Sequence, residues 1–420
     1  MIKKLTAVLF CVIITLCGCA NSDLPAPETE TGAPALQTTA PPETETADAD
    51  TEFKPDPSVE YKRRLLAVYY DGKWSPGFTM TEDDVKRSDI VYYLSIYVQG
   101  DDSIELSNDR LTPEMIAEAK ALNPGLKILA CLVGDLRDGR NGGREFANAV
   151  SNDGKRADLC AALKKVMTEY GFDGADIDWE YPSDAVDREN EVKFAAALRE
   201  TLDGMGEGYM LTAAIPSTAW GFDMHDVAGI AEYCDYLNIM TYDHHINDAE
   251  TLHHTAPCND GTGKYQTRGY SNEQTTQIFI ERGVPAEKLI LGCGLYCLEW
   301  RDVPAGDSHG FNMLGTRASN HTYHYRELEQ LCKGSFKRYW DPTAKAAWYY
   351  SAENRIYLSC DDDESVRVKA ELVNKYDNAG LMIFSYYTIR GRELLRSVRA
   401  WLDGDITYPA SVDWSKYTGK

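Results

Sequence analysis

Short apolar runs recur along the chain, and between them apolar residues return every three or four positions. Runs rich in aliphatic, β-branched and aromatic residues and bounded by turn residues read as strands buried on both faces. They predict strands at Leu65 to Tyr70, Ile90 to Val98, Leu126 to Val133, Phe172 to Glu180, Tyr209 to Ile215, Tyr236 to Thr241, Leu289 to Leu295 and Leu381 to Tyr386. Helical segments lie between them. In Thr112 to Leu122, Thr112 offers an N-cap and Pro113 the first helical position; Asp187 to Asp203 carries Val192, Ala195 and Ala196 at helical spacing. Eight strands with intervening helices predict an α/β fold, a (β/α)8 TIM barrel, with any site at the carboxyl ends of the strands. A chain of 420 residues holds one such barrel, read over residues 61–404, with room for insertions. One connection is far too long for a simple loop: from Cys297 to about Asp363 the chain is rich in aromatics, Trp340, Trp348, Tyr349, Tyr350 and Tyr357 among them.

The fourth strand carries unusual chemistry. Residues 172 to 182 read Phe-Asp-Gly-Ala-Asp-Ile-Asp-Trp-Glu-Tyr-Pro. Successive strand side chains point to opposite faces, so Asp176, Asp178 and Glu180 share one face, spaced roughly 6.6 Å apart, while Ile177 and Trp179 take the other. Crowded carboxylates resist ionising together and titrate as a coupled set, so a proton is retained near neutral pH. A protonated carboxylic acid is what acid-assisted cleavage of a glycosidic bond requires. A solvated acidic edge fits poorly beside Ile177 and Trp179, and a calcium loop would need a glycine and a distal glutamate at other spacings.

The pattern Asp-x-x-Asp-x-Asp-x-Glu, filled by Asp173, Asp176, Asp178 and Glu180, resembles the signature of glycoside hydrolase family 18, the chitinase-like enzymes. A second segment, Tyr236-Leu-Asn-Ile-Met-Thr-Tyr-Asp243, resembles that family's sixth barrel strand. The resemblance implies Glu180, Asp178, Asp176 and Tyr242 as catalytic residues. It implies Asp243, Met240, Tyr70, Tyr181, Tyr296 and Phe384 as sugar contacts, and leaves Asp173 a structural part at the strand's start. It further implies a substrate-assisted retaining mechanism on glycans containing N-acetylglucosamine, with no metal or cofactor. The pairs His244-His245 and His253-His254 are not at metalloprotease spacing. Residues 297–362 resemble the small α+β insertion of one chitinase branch, either a wall of the cleft or a structural cap. Competing readings are an endo-N-acetylglucosaminidase acting on N-glycans and a non-catalytic, lectin-like chitin-binding protein on the same barrel.

Several positions depart from the family's usual pattern. Phe384 stands where a Trp is usual, the third strand Ile-Leu-Ala-Cys-Leu-Val-Gly134 lacks the usual Ser, and Cys297 and Leu298 follow Tyr296 where Gly and Arg are usual. These changes bear on substrate preference and subsite affinity more than on the catalytic step.

The chain opens Met-Ile-Lys-Lys, then an apolar run too short to span a membrane, the build of a secretion signal over residues 1–19. Leu16-Cys17-Gly18-Cys19 resembles a bacterial lipobox, implying lipidation at Cys19; an ordinary signal peptide cut near Ala20 is the alternative. Residues 20–60 are rich in Pro, Thr and Glu, with ten acids against one lysine between Asn21 and Glu60, and read as a disordered stalk or spacer. The expectation is an exported monomer tethered to a bacterial envelope, at the surface or outside the cell, touching membrane only through its lipid. A net charge of -23 argues against nucleic acid or an anionic membrane surface as partner. Eight cysteines lie beyond the stalk, and their pairing is not legible in the sequence. Residues 405–420 read as a C-terminal tail.

Overall fold

The computed structural model describes residues 54–419 apart from 76, 100–102, 107–109, 135–140, 259–270 and 320–321. The expected signal segment, Cys19 and most of the stalk lie outside the described residues. Among the described residues no helix is long and apolar enough to cross a membrane.

Eight parallel strands close into a barrel: β1 (Leu65–Asp71), β2 (Ile90–Val98), β4 (Lys127–Gly134), β5 (Gly174–Asp178), β6 (Met210–Pro216), β7 (Tyr236–Met240), β8 (Leu289–Gly294) and β14 (Gly380–Phe384). Pairing of β1 with both β14 and β2 closes the ring. All eight expected strands are present, with ends shifted by at most two residues. One short strand without a clear sequence signal, β3 (Ile104–Leu106), adds antiparallel to β2. The expected helix at Asp187 starts earlier, as Ala185–Asp203, because the Asp184 carboxylate accepts from the amides of Val186 and Asp187 at 2.8 and 2.9 Å.

Strand alternation divides the apolar residues into two packed layers. Ala67, Tyr69, Tyr92, Leu129, Ile290 and Met382 fill the barrel, whereas Leu66, Val68, Tyr70, Val91 and Leu291 face the helices outside.

Between β8 and the helix Asp363–Lys375 lies the insertion: a five-stranded antiparallel sheet of β9 (Leu298–Arg301), β10 (Thr316–Arg317), β11 (Lys337–Asp341), β12 (Ala346–Ser351) and β13 (Ile356–Ser359), with the helix Tyr325–Cys332. Its aromatics are largely buried and continuous with the cluster inside the barrel. Trp300, Trp348 and Tyr357 are buried, and the Trp348 indole donates to the His309 carbonyl at 3.1 Å. The segment after residue 404 packs against the fold: Trp414 is buried and donates to Asp363 at 2.9 Å. All eight described cysteines carry free thiols.

Candidate active site

β5 delivers its acids in tiers. Asp176, the deepest, is fully buried and accepts from four neighbouring strands: Thr212 Oγ1 at 2.5 Å, Tyr69 OH at 2.7 Å, Asn238 Nδ2 at 3.0 Å and Cys131 Sγ at 3.3 Å. Tyr92 completes the ring by donating to Asn238 Oδ1 at 2.9 Å. Burial pushes the Asp176 carboxyl above the usual carboxylate range, and these donors pull it part of the way back.

One strand repeat toward the mouth, Asp178 is buried and Glu180 stands exposed at the opening. Their carboxyls interact with each other. Burial raises Asp178 most, followed by the charges of Glu180 and Asp176. Glu180 is also raised, first by the protein packed around it; the Tyr181 hydroxyl lowers it, Asp243 raises it, and His225 lowers it. Glu180 reaches solvent and Asp178 does not, so the upward push is stronger on Asp178. Asp178 Oδ1 is buried and has no hydrogen-bond partner among the described residues. Asp178 thus leaves a buried acceptor without a donor at the carboxyl end of a barrel strand.

Tyr242 lies beside the acids because β8 is stripped of side chains there: a Cβ on Gly292 would stand 2.8 Å, and one on Gly294 2.9 Å, from Tyr242 atoms. Its ring centroid lies 5.5 Å from Phe384 and 5.9 Å from Tyr296. Asp243 follows with φ 60°, a left-handed conformation that short polar side chains tolerate. Its carboxylate accepts from Tyr296 OH at 2.6 Å and lies 3.7 Å from His254 Nδ1. Met240 and Phe384 pack half-buried on the barrel's interior cluster. Tyr181 is half-buried, its hydroxyl engaged with Glu180.

One expected sugar contact is placed elsewhere. Tyr70 faces the helices, with its hydroxyl 2.8 Å from the Ser75 carbonyl and its ring stacked on Phe78 at 5.0 Å. Neighbours along a strand point in opposite directions, and in β1 it is Tyr69 that enters the barrel. Asp173 is structural as expected, accepting from Lys120 at 2.7 Å and from the Ile128 amide at 3.0 Å. The histidines of the loop after β7 go to separate partners: His244 to Ser217, His245 to Asp248, His253 to Asp341 and His254 to Asp243. Among the described residues no group of three His, Cys, Asp or Glu is arranged to hold a metal.

Tyr69, Tyr92, Thr212 and Asn238 were missed as site residues. The available signal was a polar atom at an inward position of an otherwise apolar strand, as in Leu-Thr-Ala and Leu-Asn-Ile.

A closed parallel barrel with coupled acids at its carboxyl mouth is the build of a glycosidase. The chain belongs to glycosyl hydrolases family 18, whose model matches residues 66–388. It is 28% identical over 315 residues to chitinase A1 of Niallia circulans, covering 69% of this chain and 44% of that protein. It is likewise 28% identical over 327 residues to chitinase B of Serratia marcescens, covering 63% of this chain and 64% of the relative. The chain thus spans less than two thirds of the length of these relatives. Among solved structures it resembles a family 18 N-acetylglucosaminidase from Paenibacillus barengoltzii, with TM-score 0.72, 26% identity, and coverage of 80% of this chain and 99% of that one.

Proposed function

We propose that the protein hydrolyses β-1,4 bonds of N-acetylglucosamine-containing glycans, chitin or chito-oligosaccharides, by substrate-assisted retention. One observation carries this reading. The Asp178 and Glu180 carboxyls interact, and the buried Asp178 keeps an oxygen without a donor while Glu180 is exposed. A simple two-carboxylate glycosidase offers one acid and one nucleophile. Here the second carboxylate is buried behind the first, better placed to hold part of the substrate than to attack it.

Glu180, retaining its proton at the mouth, protonates the leaving glycosidic oxygen. Asp178 accepts the acetamido N–H and turns the acetamido carbonyl toward the anomeric carbon; the carbonyl oxygen attacks it as the glycosidic bond breaks, giving an oxazolinium ion. Tyr242 donates to the acetamido oxygen, and the negative charge on the Asp178–Asp176 pair offsets the charge developing on the ring. Water then attacks the anomeric carbon, passing its proton to Glu180, and the acetamido group is released. Asp243, held by Tyr296, contacts the sugar beside Glu180.

The chitinase relatives and the similar N-acetylglucosaminidase support an acetamido sugar as substrate. Lipid attachment at Cys19 would place the enzyme on the cell envelope as a monomer, facing polymer or oligomers outside. The test is Glu180→Gln assayed on reducing-end-labelled chitotetraose with a high-mannose glycopeptide alongside. The proposal expects chitotetraose cleavage to fall by at least roughly a hundredfold; turnover surviving the change removes Glu180 from the role. Cleavage of the glycopeptide alone by the parent enzyme would move the substrate to N-glycans.

A further inference from the structure

Beneath Tyr181 lies a buried pair that the catalytic scheme leaves unused. His225, at the end of the short helix Ala219–Met224, is 2% exposed, and Glu191, on the helix Ala185–Asp203, is 1% exposed. His225 Nδ1 stands 3.0 and 2.9 Å from the two Glu191 oxygens, a geometry in which a protonated Nδ1 donates to the carboxylate. Among the described residues no lysine or arginine pairs with Glu191. A buried carboxylate without a cation is costly, and among the described residues the group in contact that can supply the charge is the imidazole. The other ring nitrogen, Nε2, is buried and has no hydrogen-bond partner among the described residues.

The ring does not float free of the site. It meets the Tyr181 ring in a T-shaped contact, with centroids 6.3 Å apart and planes at 86°. The Tyr181 hydroxyl in turn engages Glu180. Other charges near the pair are directed elsewhere. Arg188 donates to the Asp223 carbonyl at 3.2 Å, and Asp226 caps the Gly229 amide at 3.0 Å. Glu180 itself is surrounded by Asp178, Asp243 and Tyr181, none of which carries positive charge.

We propose that Glu191 holds His225 as an imidazolium, and that this buried cation is a positioning residue for the general acid, seating Tyr181 against Glu180 and offsetting the negative charge of the surrounding carboxylates. The inference rests on the reading of Glu180 as the acid. A cation beside a carboxylic acid favours its ionised form, in keeping with the downward pull of His225 on Glu180. The dyad therefore limits how far the surrounding protein and like charges raise the acid, and sets the pH above which the acid is lost.

The test is the pH profile of kcat on chitotetraose for the parent enzyme, His225→Gln, Glu191→Gln and the double variant. Removing the cation lets Glu180 keep its proton to higher pH, so the alkaline limb of the His225→Gln profile should move upward by on the order of 1 pH unit. Glu191→Gln discharges the imidazole and should move the limb the same way, and the double variant should move it no further than His225→Gln alone. Fold is checked by thermal melting; should His225→Gln not fold, the isosteric Glu191→Gln carries the comparison. Independently, nitrogen-15 NMR of histidine-labelled full-length protein at pH 7 should show both ring nitrogens of His225 protonated. A neutral ring, or alkaline limbs coincident with the parent, overturns the proposal. Turnover surviving in Glu180→Gln would instead remove the premise and leave the charge state of His225 to the NMR result.

Discussion

The Tyr69 hydroxyl donates to Asp176 Oδ2 at 2.7 Å, joining the first barrel strand to the floor of the acid cluster across the barrel interior. With Thr212, Asn238 and Cys131 it surrounds a carboxylate that has no access to water. Tyr69→Phe removes one of these donors while keeping the ring, which should cost about 1–3 kcal/mol of stability. It should also lower kcat roughly tenfold by weakening the negative charge beneath Asp178. Tyr70→Phe, one residue on, should leave kcat unchanged because that hydroxyl serves the Ser75 carbonyl outside the barrel. Thermal melting and chitotetraose turnover on both variants check the pair, and equal effects on kcat would refute the inward assignment of Tyr69.

That contrast marks where the sequence was legible. Each barrel strand was readable because a strand buried on both faces has to be apolar along its length, and Asp176, Asp178 and Glu180 broke that rule on one face. Tyr69 and Tyr70 both satisfy it, so which one enters the barrel depends on register, which composition does not carry. Asn238 and Thr212 were readable in principle as polar atoms inside apolar strands, but their shared target, Asp176, appears only when four strands are brought side by side. The sequence leaves the insertion either a wall of the cleft or a structural cap. Trp300, Trp348 and Tyr357 are buried in one cluster with Tyr242 and Tyr296 of the barrel, a packing that composition alone does not show.

The acids at the mouth should weaken the fold in return for function. Asp178 has its pKa raised in the folded state, so the native protein binds its proton more tightly than the unfolded chain does. The sign follows: stability falls as pH rises from the ordinary carboxylate range through the raised native value. Asp178→Asn removes the titration. It should melt higher than the parent near neutral pH, the advantage vanishing on acidification below pH about 4, while kcat falls roughly a hundredfold. Parallel melting curves from acid to neutral pH would contradict the shift.

Glu329 should show the opposite sign. Lys333, Arg392 and Tyr417, in that order, bring its carboxyl down from 4.5 to about 2. A lowered native pKa adds stability above the unfolded value, and that stability is lost as pH falls from 4.5 toward about 2. Glu329→Gln should therefore be less stable than the parent at neutral pH and equal to it at the acid end, as read by urea midpoints across that range. Glu329 and its partners are partly solvated, so the difference at neutral pH should be small.

Lys369 and Asp361 form an ion pair at 2.5 Å with both side chains fully buried, and Asp361 also accepts from the Gly294 amide at 3.0 Å at the end of β8. Lys369→Met leaves a carboxylate buried without a cation and should destabilise by roughly 3–5 kcal/mol. Adding Asp361→Asn removes the stranded charge and keeps an acceptor for Gly294, so the double variant should recover most of the loss. Urea unfolding measures both steps; a double variant as unstable as the single one would place the energy in packing rather than charge.

Phe384 stands in a ring of aromatics, its centroid 5.5 Å from Tyr242, 5.6 Å from Tyr69 and 6.0 Å from Tyr296. A sugar over this face meets one six-membered ring. Phe384→Ala removes that surface and should lower kcat/KM on chitotetraose by roughly tenfold, the free-energy scale of one aromatic contact. A larger platform is not available for free. Tyr69 is locked to Asp176 and Tyr296 to Asp243, so neither can retreat from an indole. Phe384→Trp should therefore lose about 1–3 kcal/mol of stability through overpacking, and gain affinity only if Tyr242 shifts. Because Tyr242 is the proposed donor to the acetamido oxygen, such a shift should appear as a lower kcat beside a lower KM. A Trp variant with parent stability and higher kcat would mean the neighbouring rings yield more readily than these contacts imply.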